Sequence, residues 1–201
     1  MCGITGIFNI GNANTLQEMT SSIYYRGPDD GGIEWFDKYN SGVGNRRLAI
    51  LDLSPAGHMP MSNDKTNLWI TFNGEIYNYR EIRNELITKG YNFKSDSDTE
   101  VVLKAYEEWK ENCLERFNGM FAFIIYNSDN NTFFAARDRI GIKPFYYWKN
   151  GNAVIIASEI KAIFKTGLVE KSPDLLSLCT PTRFQMYPNT GFKDIYNLPA
   201  G

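Results

Sequence analysis

In Met1-Cys2-Gly3-Ile4-Thr5-Gly6-Ile7-Phe8-Asn9-Ile10, residues Gly3 to Ile10 read as a strand that starts beside Cys2, a candidate nucleophile. Ile4, Gly6, Phe8 and Ile10 fall on one face, and Gly3, Thr5, Ile7 and Asn9 on the other. Cys2 lies one aminopeptidase cut from the N-terminus, and its small side chain suits removal of Met1. An N-terminal cysteine carries both halves of a catalytic pair. Its thiol attacks, and its free α-amine, with a pKa of about 7.7–8.0, takes the thiol proton near neutral pH. With Met1 retained the nitrogen is an amide and that base is lost.

Outward from this segment the chain reads as one domain. Its 201 residues are 43% hydrophobic and 14% aromatic, enough for a sizeable core. The formal charge of -2 offers no basic surplus for nucleic acid or anionic membrane. Cys2, Cys113 and Cys179 lie far apart without a C-x-x-C pair, which argues against a disulfide framework or a zinc site and suits the cytoplasm. No run has the form of a signal peptide or the length of a membrane span.

A helix is expected over Leu16–Tyr24, followed by the turn Arg26-Gly27-Pro28. Strand-like runs follow at Gly32–Phe36, Gly42–Leu51 and Leu68–Phe72. Helices are expected at Tyr79–Thr88 and Asp98–Trp109, each opened by a capping-box pattern, Asn78 to Glu81 and Ser97 to Glu100. A strand meander then runs through Met120–Asn127, Thr132–Asp138, Pro144–Lys149 and Ala153–Ser158, with a last helix at Glu159–Thr166. Strands, two helices, then antiparallel strands imply a layered α+β domain over 1–168. Residues 169–201, weakly patterned and ending on Leu198-Pro199-Ala200-Gly201, read as a C-terminal extension or linker.

Four segments carry the chemistry: Cys2, Gly44–Asp52, Asn73–Asn78 and Ser97–Glu100. Their order and spacing resemble the glutaminase domain of class II glutamine amidotransferases, in particular the N-terminal domain of glutamine-hydrolysing asparagine synthetases. Arg26-Gly27-Pro28-Asp29, Ala56-Gly57-His58, Gly119–Phe123, Arg137-Asp138, Gly141–Pro144 and Ala157–Lys161 extend the likeness over essentially the whole chain. It implies a four-layer α/β/β/α sandwich of two antiparallel sheets flanked by helices, the Ntn-hydrolase type. It implies hydrolysis of the L-glutamine side-chain amide by Cys2. The oxyanion hole falls to the Asn73 side-chain amide and the Gly74 N–H, a pair that alone reads as a hairpin turn. Arg47 is assigned to the substrate carboxylate and Asp98 to its ammonium, with Glu75, Ile50 and Leu51 completing the pocket; taken singly, Arg47 also reads as a solvated strand residue and Asp98 as a helix cap. Arg47 is preferred to Arg46 because the family's arginine directly precedes Leu.

Asn45 departs from the pattern, since relatives often carry histidine there. Arg26 reads equally as a turn stabiliser, and Cys113 and Cys179 as bystanders. Gly42-Val43-Gly44 lacks the second half of a phosphate loop. The resemblance implies no cofactor and no metal in this domain; ATP and magnesium belong to a synthetase domain expected downstream, with no counterpart before Gly201. An oligomer remains open. The alternatives are the same half-reaction serving another acceptor, such as a sugar carboxylate in polysaccharide synthesis; a binding module with Cys2 masked by Met1; and a hydrolase pairing Cys2 with His58, the single histidine.

Overall fold

The computed structural model describes residues 1–179 and 188–201. The opening alternation becomes strand β1 (Gly3–Phe8), buried on both faces. It stops where Asn9 adopts a left-handed φ of 61°. Ile4 and Phe8 join one apolar cluster and Ile7 another, so this strand lies inside a stack of layers and not at its surface.

Helix α1 (Ala13–Ser21) follows, then strands β2 (Asp30–Phe36), β3 (Ser41–Arg47), β4 (Met61–Ser62) and β5 (Leu68–Ile76). Helices α2 (Tyr79–Thr88) and α3 (Asp98–Trp109) precede β6 (Gly119–Asn127), β7 (Thr132–Arg137), β8 (Tyr146–Asn150) and β9 (Ala153–Ala157). Helices α4 (Ile160–Lys165) and α5 (Leu175–Cys179) and strand β10 (Ile195–Asn197) complete the described elements. The strands form a six-stranded sheet, β10-β8-β9-β1-β3-β2, and a four-stranded sheet, β4-β5-β6-β7. Both are antiparallel.

Three apolar clusters mark three interfaces between four layers. Leu16 and Met19 of α1 and Ile163 of α4 cover Ile7 and Ile155 on the outer face of the six-stranded sheet. Ile4, Phe8 and Val43 meet Ala122, Ile124 and Tyr126 between the sheets. Phe123 and Ile125 pack with Ile82, Leu86 and Val102 of α2 and α3 on the far side. Strand β6 thus sends alternate side chains into two cores. A polar tie crosses between the sheets beside β1. Asn45 Nδ2 donates to Thr71 Oγ1 at 2.9 Å and to the Phe72 carbonyl at 3.2 Å, so the residue that departs from the family pattern still links the layers.

The expected α/β/β/α sandwich is the observed fold, with local differences. The four-strand meander is divided: β6 and β7 lie in one sheet, β8 and β9 in the other. Strand β3 ends at Arg47 and not at Leu51, because the Arg47 guanidinium gathers the carbonyls of Leu51 and Asp52 and folds that segment back. Asn78 does not cap α2; its side chain holds Asn118 N and the Arg116 carbonyl instead. At α3, Ser97 does accept from Glu100 N, but the Glu100 carboxylate bonds Lys94 N and Ser95 N. Of the segment after 168, Val169 and Ile195 are buried and β10 pairs with β8, while 180–187 fall outside the described residues. No helix among the described residues is long and apolar enough to cross a membrane.

Ile124 is fully buried between the sheets, so Ile124→Ala should lower stability by about 2–5 kcal/mol in urea unfolding. Ile87→Ala on the exposed face of α2 should stay within about 0.5 kcal/mol of the parent. Equal losses would contradict the layer assignment.

Candidate active site

Pairing of β1 with β3 places Gly3 opposite Arg46, so Cys2 and Arg47 come side by side at one rim of the six-stranded sheet. The half-buried Cys2 thiol sits against Leu48: its Sγ accepts from Leu48 N at 3.4 Å and lies 3.7 Å from the Leu48 carbonyl. Arg26 holds the residue from behind. Its Nε donates to the Cys2 carbonyl at 3.0 Å and its Nη1 pairs with Glu159 at 2.9 Å. Burial pushes the Cys2 thiol above its ordinary pKa, against the pull of the Leu48 N–H, the chain's amino terminus and Arg47. Such a thiol needs a neighbouring base to become a nucleophile.

Arg47 is buried, and its Nη2 donates to the Leu51 carbonyl at 3.0 Å and also to that of Asp52. These bonds shape the wall that carries Ile50 and Leu51. Gly57 makes room for them, since a Cβ there would collide with Nη2. Arg46 points elsewhere, donating to the Gly27 carbonyl at 3.1 Å and stacking over Tyr24.

The opposite wall comes from the second sheet and α3. Asn73 and Gly74 lie within β5, paired with Ala122 and Phe121, and form no hairpin turn. Asn73 is 1% exposed and its Nδ2 has no hydrogen-bond partner. A buried amide donor left unpaired is costly and marks a place where an acceptor belongs. Gly74 is required by close approach: a Cβ would stand 2.5 Å from the Met120 carbonyl. Asp98, in the first turn of α3, accepts from Ile76 N at 2.9 Å. Burial, with Glu75 adding to it, pushes the Asp98 carboxyl up to about 6.

Cys2, Arg47, Ile50, Leu51, Asn73, Gly74, Glu75 and Asp98 line one cavity of about 140 Å³. Every residue nominated for the glutamine site is brought together there. Met1 lines it as well, so the nitrogen of Cys2 is here an amide. His58 is not part of this cavity. It contacts Asp30 Oδ2 at 2.8 Å and faces a separate hollow behind Arg47, which removes the geometric basis for a Cys2–His58 pair. Cys113 is buried in the helix-side core and Cys179 is exposed, neither on the cavity. Among the described residues no group of three or more His, Cys, Asp or Glu is arranged to hold a metal ion. Sequence reasoning missed Lys143, a buried lysine on the cavity wall. The signal was a lone charge in the Gly141-Ile142-Lys143-Pro144 turn.

Residues 1–201 match the family model described as a glutamine amidotransferase domain. The chain is 43% identical over 170 residues to asparagine synthetase [glutamine-hydrolyzing] 1 of Bacillus subtilis (strain 168), which covers 81% of this chain and 26% of that protein. It is 37% identical over 225 residues to a putative asparagine synthetase [glutamine-hydrolyzing] 2 of Methanocaldococcus jannaschii, covering 100% of this chain and 43% of the relative. The chain therefore spans less than half the length of these relatives. The solved glutamine phosphoribosylpyrophosphate amidotransferase of B. subtilis, complexed with ADP and GMP, shares the fold with a TM-score of 0.72 at 22% identity, over 83% of this chain and 44% of that one. A whole-length family match, a likeness at 37–43% identity and a shared four-layer fold lead to one assignment: this chain is a member of the glutamine amidotransferase domain family.

Proposed function

We propose that Cys2, once Met1 is removed, hydrolyses the side-chain amide of L-glutamine to glutamate and ammonia. The observation that carries this reading is the unpaired, buried Asn73 Nδ2 on the same cavity as the Cys2 thiol. The freed α-amine takes the thiol proton, and Sγ attacks the amide carbon. Asn73 Nδ2 and the Gly74 N–H receive the oxyanion. The amine hands its proton to the departing nitrogen, ammonia leaves, and a γ-glutamyl thioester remains. Water, deprotonated by the same amine, then releases glutamate and restores the thiol. Arg47 receives the substrate α-carboxylate, and Asp98 with Glu75 receives its ammonium.

The half-reaction as proposed draws on groups of this chain, the Cys2 thiol and α-amine, the Asn73 amide and the Gly74 N–H, and calls for no cofactor. The names of the relatives, glutamine-hydrolyzing asparagine synthetases, support a further step, delivery of the ammonia to a synthetase domain. The use of ATP and magnesium by that domain, and a path to it through residues 169–201, belong to the proposal. The unpaired cysteines support a cytoplasmic setting.

Protein freed of Met1 should release glutamate from glutamine, and Cys2→Ala should fall to background; equal turnover by the two would end the reading. Arg47→Ala should raise KM about 10–100-fold, the loss of one charge-assisted contact, with a smaller change in kcat. A fall confined to kcat would remove Arg47 from carboxylate binding.

Asp98 gives a pH test. Its carboxyl has a raised pKa in the folded state, so the stability it contributes is complete below its unfolded pKa and is lost as pH rises through about 6. Asp98→Asn keeps an acceptor for Ile76 N and removes that loss. Its stability relative to the parent should grow by on the order of 2–3 kcal/mol between about pH 4 and pH 7, read by urea unfolding, while its KM for glutamine rises. Parallel stability profiles would refute the assignment.

A further inference from the structure

Lys143 is the cavity residue that the chemistry above leaves unused. It is 5% exposed, yet among the described residues its ammonium has no carboxylate partner. Its one polar contact is the thioether of Met1, with Nζ 3.8 Å from Sδ. Burying a cation without a counter-charge is unfavourable, and the fold holds it there firmly. Arg137 Nε donates to the Lys143 carbonyl at 2.6 Å, and the buried Asp138 carboxylate receives Lys143 N at 3.1 Å and Ile142 N at 2.9 Å. The Arg137-Asp138 pair is thus a clamp on the turn. It leaves Ile140 and Ile142 exposed and sends Lys143 inward.

Loss of Met1 removes the sulfur that Nζ touches and creates an amine at Cys2, which lines the same cavity as Lys143. We propose that Lys143 is a positioning residue acting through charge: its ammonium disfavours a proton on the freed Cys2 α-amine and so keeps that amine in its unprotonated, proton-accepting form at neutral pH. This rests on the glutaminase reading. The charges around Cys2 are Arg26 from the turn after α1, Arg47 from β3, Glu75 from β5, Asp98 from α3 and Lys143. Arg26 is paired with Glu159, and Arg47 is bonded to two backbone carbonyls. Glu75 and Asp98 favour a protonated amine, and Lys143 is the unpaired cation that opposes them.

The test uses Met1-free parent, Lys143→Met, Lys143→Gln and Lys143→Arg. The rate of Cys2 alkylation by iodoacetamide is followed against pH by peptide mass spectrometry, together with kcat/KM for glutamine. The acid limb of both profiles should move up by about one pH unit in the Met and Gln variants and return to the parent position in Lys143→Arg. Limbs that stay in place in a neutral variant with the parent's Tm would overturn the proposal, as would failure of both neutral variants to fold, which would make the role structural. A parent that alkylates but does not hydrolyse glutamine would defeat the glutaminase reading, while the alkylation midpoints would still judge Lys143.

Discussion

Burial of β1 from both sides is the constraint on which the rest depends. Ile4 and Phe8 require a second sheet, and Ile7 requires helices, so the strand must occupy an inner layer. Gly6 lets the sheets approach, since a Cβ there would already be 3.0 Å from Ile124 Cδ1. Once β1 is central, its register with β3 decides the neighbourhood of Cys2. A slip of one residue would turn Arg47 to the other face and put Arg46 beside the thiol, separating the thiol from the cavity's guanidinium. The Asn45–Thr71 tie couples that register to the second sheet, whose strand β5 delivers Asn73 and Gly74 to the same rim.

Within this frame the cavity assembles groups whose surroundings oppose their charged forms. Burial raises both the Cys2 thiol and Asp98, and Asn73 keeps an unpaired donor. These features lower the stability of the empty site, a common property of binding clefts, where strain and unmet polar groups are offset by packing elsewhere. A zwitterionic ligand with a carbonyl oxygen meets all of them together. In the proposed binding mode its ammonium would favour the ionised Asp98, and its oxygen would supply the acceptor that Asn73 lacks. Arg47 has two tasks, because the contacts that hold Leu51 and Asp52 also fix the orientation of its guanidinium at the cavity.

Helices α2 and α3 were legible to the residue through their apolar spacing, with the polar opening acting as a cap only at α3, where Ser97 accepts from Glu100 N. The cluster of site residues was legible through ordered motifs, although no local signal distinguished Asn73-Gly74 from a turn. The rest depended on tertiary contacts. Alternation in β6 through β9 says which side chains are buried but not which sheet each strand joins, so the division after β7 had no sequence mark. The apolar run after Arg47 continued a strand pattern until the guanidinium captured its carbonyls. Asn78 had the composition of a cap, yet the backbone at Arg116 and Asn118 competed for its side chain. Helix α5 and strand β10 arise in a segment whose pattern is weak, and β10 exists because β8 offers it an edge.

On the proposed reading, Met1 explains how the site can be assembled and still lack its base. The ladder between β1 and β3 begins at Gly3, so Met1 contributes no strand pairing and is largely exposed. Cys2 is retained by other means: Arg26 holds its carbonyl and Leu48 N–H its sulfur. Removing the methionine therefore changes the chemistry of one nitrogen without loosening the residue that carries it. The thiol, the donors and the guanidinium are already in position, and the missing part is a lone pair that amide resonance withholds. On the proposed reading, activation by trimming requires no conformational change, because Cys2 is anchored by its carbonyl and sulfur and not through its nitrogen.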